Sequence, residues 1–223
     1  MNFGLSFSYV FKDEEWFKKI IIPALVSLIP IIGQLILMGW GLSVTKNVID
    51  GRSERALPKL EFGADLGRGF MVFLIQFIYA IPYAILFGLM SAAFGIGGGA
   101  REEIVQILMT ILGICFGLVG FLLALLILFM SVAAIANYAA KGEFKAAFQF
   151  KEIFALLKKS FVSWLLVLVG GFIAMGIIAP LGSVACGIGI ILTTAYGTAV
   201  YYHMLGQAYV KSVSPPVTEA EVL

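Results

Sequence analysis

Few of the 223 residues carry charge. Asp, Glu, Lys and Arg make up 13% of the chain against 61% hydrophobic residues, and none of them falls within its long apolar runs. Too little polar surface remains to clothe a soluble domain of this size. The same scarcity removes the intramembrane ionisable groups on which ion-coupled transporters, proton pumps and voltage sensors depend. With a single histidine, His203, no cluster of His, Cys and carboxylate can be assembled to hold a metal. That residue stands near the end of the last apolar run, among Tyr201, Tyr202 and Tyr209, and reads as an interfacial ring, with a proton-handling role as the alternative. The only two cysteines, Cys115 and Cys186, fall at different depths, about 17 Å and about 5 Å, from the ends of their expected helices. They read as small apolar fillers rather than a disulfide. No Ser, His and Asp set or metal set lies within the apolar runs, which speaks against an intramembrane hydrolase. Gly97-Gly98-Gly99 has no strand before it and no Lys-Ser or Lys-Thr after it, so it reads as a flexible turn and not a phosphate cradle. Neither a cofactor nor catalysis is expected.

What the chain has in quantity is apolar length. A mean hydropathy of +1.03 marks a polytopic membrane protein. The net charge of +2 is small, and the basic residues fall in clusters beside apolar runs, a pattern of topology signals and lipid-headgroup contacts that speaks against nucleic acid as a partner. The expected fold is all-α: a transmembrane helix bundle with four long spans, plus an N-terminal span or re-entrant hairpin broken at Pro30, and amphipathic interfacial helices. Residues 1–210 would form one domain and 211–223, with Pro215-Pro216, a disordered cytoplasmic tail.

Residues 1–11 lack the charge order and cleavage site of a signal peptide and are expected to stay. Phe3, Leu5, Phe7, Tyr9 and Phe11 alternate with small or polar residues ahead of Asp13-Glu14-Glu15 and Trp16, a helix start lying at the headgroups. The uncharged run 20–45 has the length of one span, yet Pro30 and Gly33 also permit two short helices that dip in and return. Residues 70–94 form a span with a kink at Pro82. The run 104–140 would reach about 55 Å as a straight helix, so it must tilt, bend or project into water. Gly113, Gly117 and Gly120 are its candidate packing points, within the chain or between copies. The connector 141–159 sets Phe144, Phe148, Phe150, Phe154 and Leu157 near helical spacing beside Lys141, Lys145, Lys151, Lys158 and Lys159, which are candidate contacts for anionic headgroups. The last two spans are expected at 161–179 and 183–209, and Gln34, Gln76, Gln106, Asn137 and Gln207 supply interhelical hydrogen bonds.

A weak internal repeat links residues 11–51 and 150–209. Phe11-Lys12-Asp13 to Lys18-Lys19 precedes a run broken at Pro30-Ile31-Ile32-Gly33; Phe150-Lys151-Glu152 to Lys158-Lys159 precedes one broken at Pro180-Leu181-Gly182. If 20–45 crosses once, the alternate sides carry 11 and 4 Lys and Arg; if it is a hairpin, they carry 14 and 1. Both arrangements put the 46–68 loop, the 141–159 connector and the tail in the cytoplasm, and the count leans towards the hairpin.

The ordered features Phe11-Lys12-Asp13-x-x-Trp16-x-Lys18-Lys19, Leu28-Ile29-Pro30-Ile31-Ile32-Gly33, Leu57-Pro58 with Glu61 and Asp65, and Gly187-Ile188-Gly189 running to Leu205-Gly206-Gln207-Ala208-Tyr209 resemble an uncharacterised family of small prokaryotic membrane proteins, domain of unknown function 4013. The chain departs from it in lacking an aromatic just after Leu57-Pro58 and in its glycine-rich 95–99 loop. The resemblance implies a multi-pass protein of the prokaryotic cytoplasmic membrane and transfers no catalytic residue.

Two readings of function fit. One is a non-catalytic integral membrane protein, an accessory, oligomerising or lipid-organising component whose partners are the bilayer, anionic headgroups and a second copy or a membrane complex. The other is a passive or weakly coupled permease for a small neutral or amphiphilic solute. Its site would lie at the broken helices, with Pro30, Gly33, Gln34, Pro180 and Gly182 as candidate residues.

Overall fold

The computed structural model describes residues 1–97, 102–184 and 189–214, and every regular element in them is helical. A short α1, Phe3–Ser8, is capped by the Asn2 side chain, which accepts from the Leu5 amide, and runs into a 3₁₀ turn at Tyr9–Lys12. Helices α2, Trp16–Val26, and α3, Ile32–Ile49, follow. After a 3₁₀ turn at Ser53–Arg55 come the two longest helices, α4, Phe62–Gly97, and α5, Glu103–Lys141. Gly142 stops α5 in the left-handed conformation, φ 72°, that glycine adopts without steric cost. The connector forms a 3₁₀ turn, Phe144–Phe148, and α6, Phe150–Lys159. Then α7, Phe161–Gly171, continues through a π stretch, Phe172–Ile178, a single turn α8, Ala179–Leu181, and a 3₁₀ turn to Val184. Helix α9, Gly189–Val213, completes the bundle.

Among the described residues, three helical segments are long and apolar enough to cross a membrane, 62–95, 103–141 and 161–184. Four long spans were expected; the fourth, α9, has the length but is diluted by Thr193, Thr194, Thr198, Tyr201, Tyr202, His203 and Gln207. The helix begun at Phe161 also runs past Pro180 rather than ending there. Proline has no N–H to give to the carbonyl one turn back, and the wider π pattern occupies the residues leading up to it. At the other end, Lys211, Ser212 and Val213 extend α9 into what was read as tail, while 215–223 and the Gly98-Gly99 turn lie outside the described residues, as does Cys186.

The 20–45 run resolves into two helices. The chain reverses at residues 27–31, and ion pairs Lys12–Glu54 (3.1 Å) and Lys59–Glu15 (3.6 Å) bring the start of α2 beside the segment that follows α3. Gly33 permits the close approach, since a Cβ there would stand 2.2 Å from the Val26 carbonyl oxygen. The tip is exposed, with Ile31 at 76%, although a re-entrant turn within a bilayer needs its free backbone groups covered by protein or a wet cavity. It dispenses with that cover by meeting much of its own hydrogen-bonding demand. Leu28 donates to Leu25, Ile29 to Val26, Ile32 to Pro30 and Gly33 to Ile29.

Helices α3 and α9 cross at the centre, burying Trp40, Val44, Ala199, Met204 and Leu205, with the Thr45 hydroxyl donating to the Tyr202 carbonyl at 2.7 Å. The tightest crossing is α3 on α4. A Cβ on Gly39 would lie 1.8 Å from the Asp65 carbonyl oxygen, and one on Gly69 1.7 Å from that of Leu35. Around this core α4 and α5 are unevenly covered. Val132 to Ala139 are buried, while Ile104 to Leu122 show a row of exposed Ile, Leu and Phe side chains.

Candidate functional site

A cleft of about 430 Å³ with both polar and apolar lining is formed by α3, α4, α5, α7, the π stretch and α9. Its lining includes Gln34, Gln76, Thr194, Thr198, Tyr201 and Tyr202, and no Asp, Glu, Lys or Arg. Thr198 and Tyr202 are buried at its floor, whereas Leu128, Phe172 and Met175 are 45, 68 and 41% exposed, so the cleft opens sideways between α5 and α7. π turns widen a helix and recur at functional sites, and here Phe172 and Met175 belong to one. Thr198 donates to the Thr194 carbonyl, and Gln34 donates to the Ser27 carbonyl at 3.2 Å. The Gln76 amide and the hydroxyls of Thr194, Tyr201 and Tyr202 have no hydrogen-bond partner among the described residues.

Of the residues proposed at the broken helices, only Gln34 reaches this cleft. Pro30 and Pro180 are exposed, Gly33 packs on α2, and Gly182 is buried against Gly189 and Thr193. Gln76 stood out as a polar residue in an apolar run, but Thr194, Thr198 and Tyr201 did not. Their spacing of four and three, one face of a helix, was the available signal. The candidate packing glycines divide. A Cβ on Gly113 would meet the Phe94 ring at 2.7 Å and one on Gly120 would meet Leu86 at 3.7 Å, but one on Gly117 would meet nothing within 4 Å. The basic connector divides too. Lys141 pairs with Glu152 and Lys145 with Glu143, whereas Lys151, Lys158 and Lys159 are exposed and in no ion pair among the described residues. Likewise no three His, Cys, Asp or Glu side chains come together there.

A second polar assembly ties down the N-terminal arm. His203, read as an interfacial ring, is fully buried instead, because α1 and the 3₁₀ turn after it fold over α9. Tyr9 stacks on its imidazole at 4.0 Å and 18°. His203 Nε2 faces the Ser53 carbonyl at 2.8 Å and so carries the proton; Nδ1 then accepts, with the Ser6 hydroxyl at 3.0 Å and the Gln207 amide at 3.1 Å. Gln207 also brackets Asn2, accepting from its N–H at 2.6 Å and donating to its carbonyl at 3.1 Å. Desolvation pushes the Tyr9 phenol well above its ordinary pKa, reinforced by Tyr196 and Asp13, so it stays protonated and donates to the Ala199 carbonyl.

The family described as Protein of unknown function (DUF4013) matches residues 22–205. The chain belongs to that family. Neither a curated protein nor a solved structure matches it. The DUF4013 match takes in every residue lining the cleft, from Gln34 to Tyr202. It includes His203 and Ser53, while Asn2, Ser6, Tyr9 and Gln207, which complete the buried assembly, lie outside the matched range.

Proposed function

We propose that the protein is a non-catalytic integral component of the prokaryotic cytoplasmic membrane that receives a small uncharged or amphiphilic solute in the cleft, as a passive permease or a solute-binding subunit. One observation carries the reading: an amide and three hydroxyls around the cleft lack partners among the described residues. In a low-dielectric setting each such group costs free energy until something hydrogen-bonds to it. Lining without Asp, Glu, Lys or Arg favours an uncharged guest, and the sideways opening favours entry from the bilayer. The experiment is titration of the purified full chain in nanodiscs with 1-monooleoylglycerol and with oleate. Saturable binding of the glyceride, weakened about tenfold by Gln76→Leu with Thr194→Val, supports the reading; absence of binding, or equal binding by the double variant, overturns it.

A second reading, an oligomerising accessory component, is favoured by Gly117. Its open position between Gly113 and Gly120 leaves a shallow recess, with Tyr83, Leu86 and Phe87 opposite, against which a second helix can pack. Cross-linking of the full chain in native membranes tests it: a dimer lost in Gly117→Leu supports this role, and a monomer in both opposes it.

A further inference from the structure

A second, larger cavity lies elsewhere. A groove of about 750 Å³ runs between α4 and α5 and is roofed by the connector, placing it within the size range of small-molecule sites. Its walls are Ile78, Tyr79 and Pro82 on one side and Leu123, Leu126, Ile127 and Met130 on the other. The Tyr79 hydroxyl is already engaged, donating to the Ala147 carbonyl at 2.8 Å, so the walls present hydrocarbon and aromatic ring. At the roof sits one charge, Lys151, between Phe150 and Phe154, which are 57 and 60% exposed. Its neighbour Glu152 is held by Lys141, leaving Lys151 without an ion pair among the described residues. Lys158, seven residues on, falls on the same face of α6, again exposed and without an ion pair there.

We propose that this groove is a binding site for one anionic phospholipid, with an acyl chain along α4 and α5 and the phosphate against Lys151. An apolar trough ending at a single unneutralised ammonium is complementary to an acyl chain ending at a phosphodiester. The exposed phenylalanines flanking Lys151 suit the boundary between chain and headgroup, where an amphipathic basic helix lies. The cleft described above is separate, so this site stands or falls without it.

Native mass spectrometry of the full chain, released from nonionic detergent after titration with phosphatidylglycerol or phosphatidylcholine of identical acyl chains, tests the assignment. One phosphatidylglycerol should be retained in preference to phosphatidylcholine. Lys151→Gln should remove about fivefold of that preference, the contribution of one basic residue at a membrane surface. Lys151→Arg and Lys145→Gln should keep it, and Leu126→Trp should displace both lipids by filling the trough. Equal retention of the two lipids by the unaltered chain overturns the proposal. So does loss in Lys145→Gln equal to that in Lys151→Gln, or retention undiminished by Leu126→Trp. Lys151 is exposed, so its variants fold and keep the test decisive.

Discussion

The His203 imidazole Nδ1 lies 3.0 Å from the Ser6 hydroxyl, 197 positions earlier in the chain. That contact joins the last helix to the first and, through Nε2 and the Ser53 carbonyl, to the loop after α3. Three segments that do not adjoin in sequence are therefore fastened by one ring whose two nitrogens are both engaged. Removing a partner strands a buried polar atom, at a cost of about 1–3 kcal/mol. Ser6→Ala should lower thermal stability in detergent by that order. His203→Phe, which keeps a ring against Tyr9 but loses its hydrogen bonds to Ser6, Ser53 and Gln207, should cost at least as much. An unchanged melting temperature in both would mean that the arm is not docked in solution.

Glycine substitutions separate close helix contacts from open ones. At Gly39 an added methyl would collide with the α4 backbone, which no side-chain movement relieves. Gly39→Ala is expected to cost on the order of 3 kcal/mol or more. Gly117→Ala meets nothing and should be neutral or stabilising by about 0.5–1 kcal/mol through helix propensity. The sequence singled out Gly113, Gly117 and Gly120 by their spacing. Spacing reports which glycines share a face, however, and not which face meets another backbone. Gly39 and Gly69 sit on different helices, so no pattern within one helix could couple them.

The limits of legibility elsewhere have the same origin. Apolar runs, Pro30 and the lysine clusters are local signals, and with them the all-helical fold and the break after α2 were readable. Partnership across the chain was not. Tyr9 looked interfacial because alternating aromatics suit a headgroup layer, and only α9 reveals that it is core. Gln34 was legible as a cleft residue because it sits beside the break, whereas Thr194, Thr198 and Tyr201 gain their role from Gln76 on α4, more than a hundred residues away.

Ile31 is the only described non-glycine residue with positive φ, at 65° with ψ −62°. Together with the Ile32 N–H donating to the Pro30 carbonyl at 2.7 Å, this is a γ-turn of the rare, strained hand. A β-branched residue there pays about 1–2 kcal/mol in steric strain. Ile31→Gly relieves it and loses about 0.5–1 kcal/mol to greater freedom in the unfolded chain. A net gain below about 1.5 kcal/mol in thermal or denaturant unfolding is expected; Ile31→Ala, which keeps the strain, should show no gain.

The reversal at residues 27–31 brings the start of α2 and the end of α3 to one end of the bundle, which predicts the parts of the chain that share a side of a bilayer. Lys12–Glu54 and Lys59–Glu15 tie the N-terminal segment to the 50–61 segment, so both must lie on one side whatever the orientation of the whole. The end of α4 and the start of α5 lie a full helix length away, because α4 departs from that side at Phe62 and α5 returns to it at Lys141. Fourteen of the fifteen Lys and Arg are then expected on the first side, and the positive-inside tendency predicts that this side is the cytoplasm. Single cysteines at the exposed positions Glu14, Arg55, Lys145 and Glu102, in a background with Cys115 and Cys186 replaced by Ala, turn this into a labelling experiment. In intact cells a membrane-impermeant thiol reagent should modify Glu102→Cys and spare the other three, and all four should react once the membrane is permeabilised. Glu14→Cys labelling together with Glu102→Cys would mean that residues 20–45 cross the bilayer once. The two ion pairs could not then form, since their partners would be separated by the roughly 30 Å hydrocarbon layer.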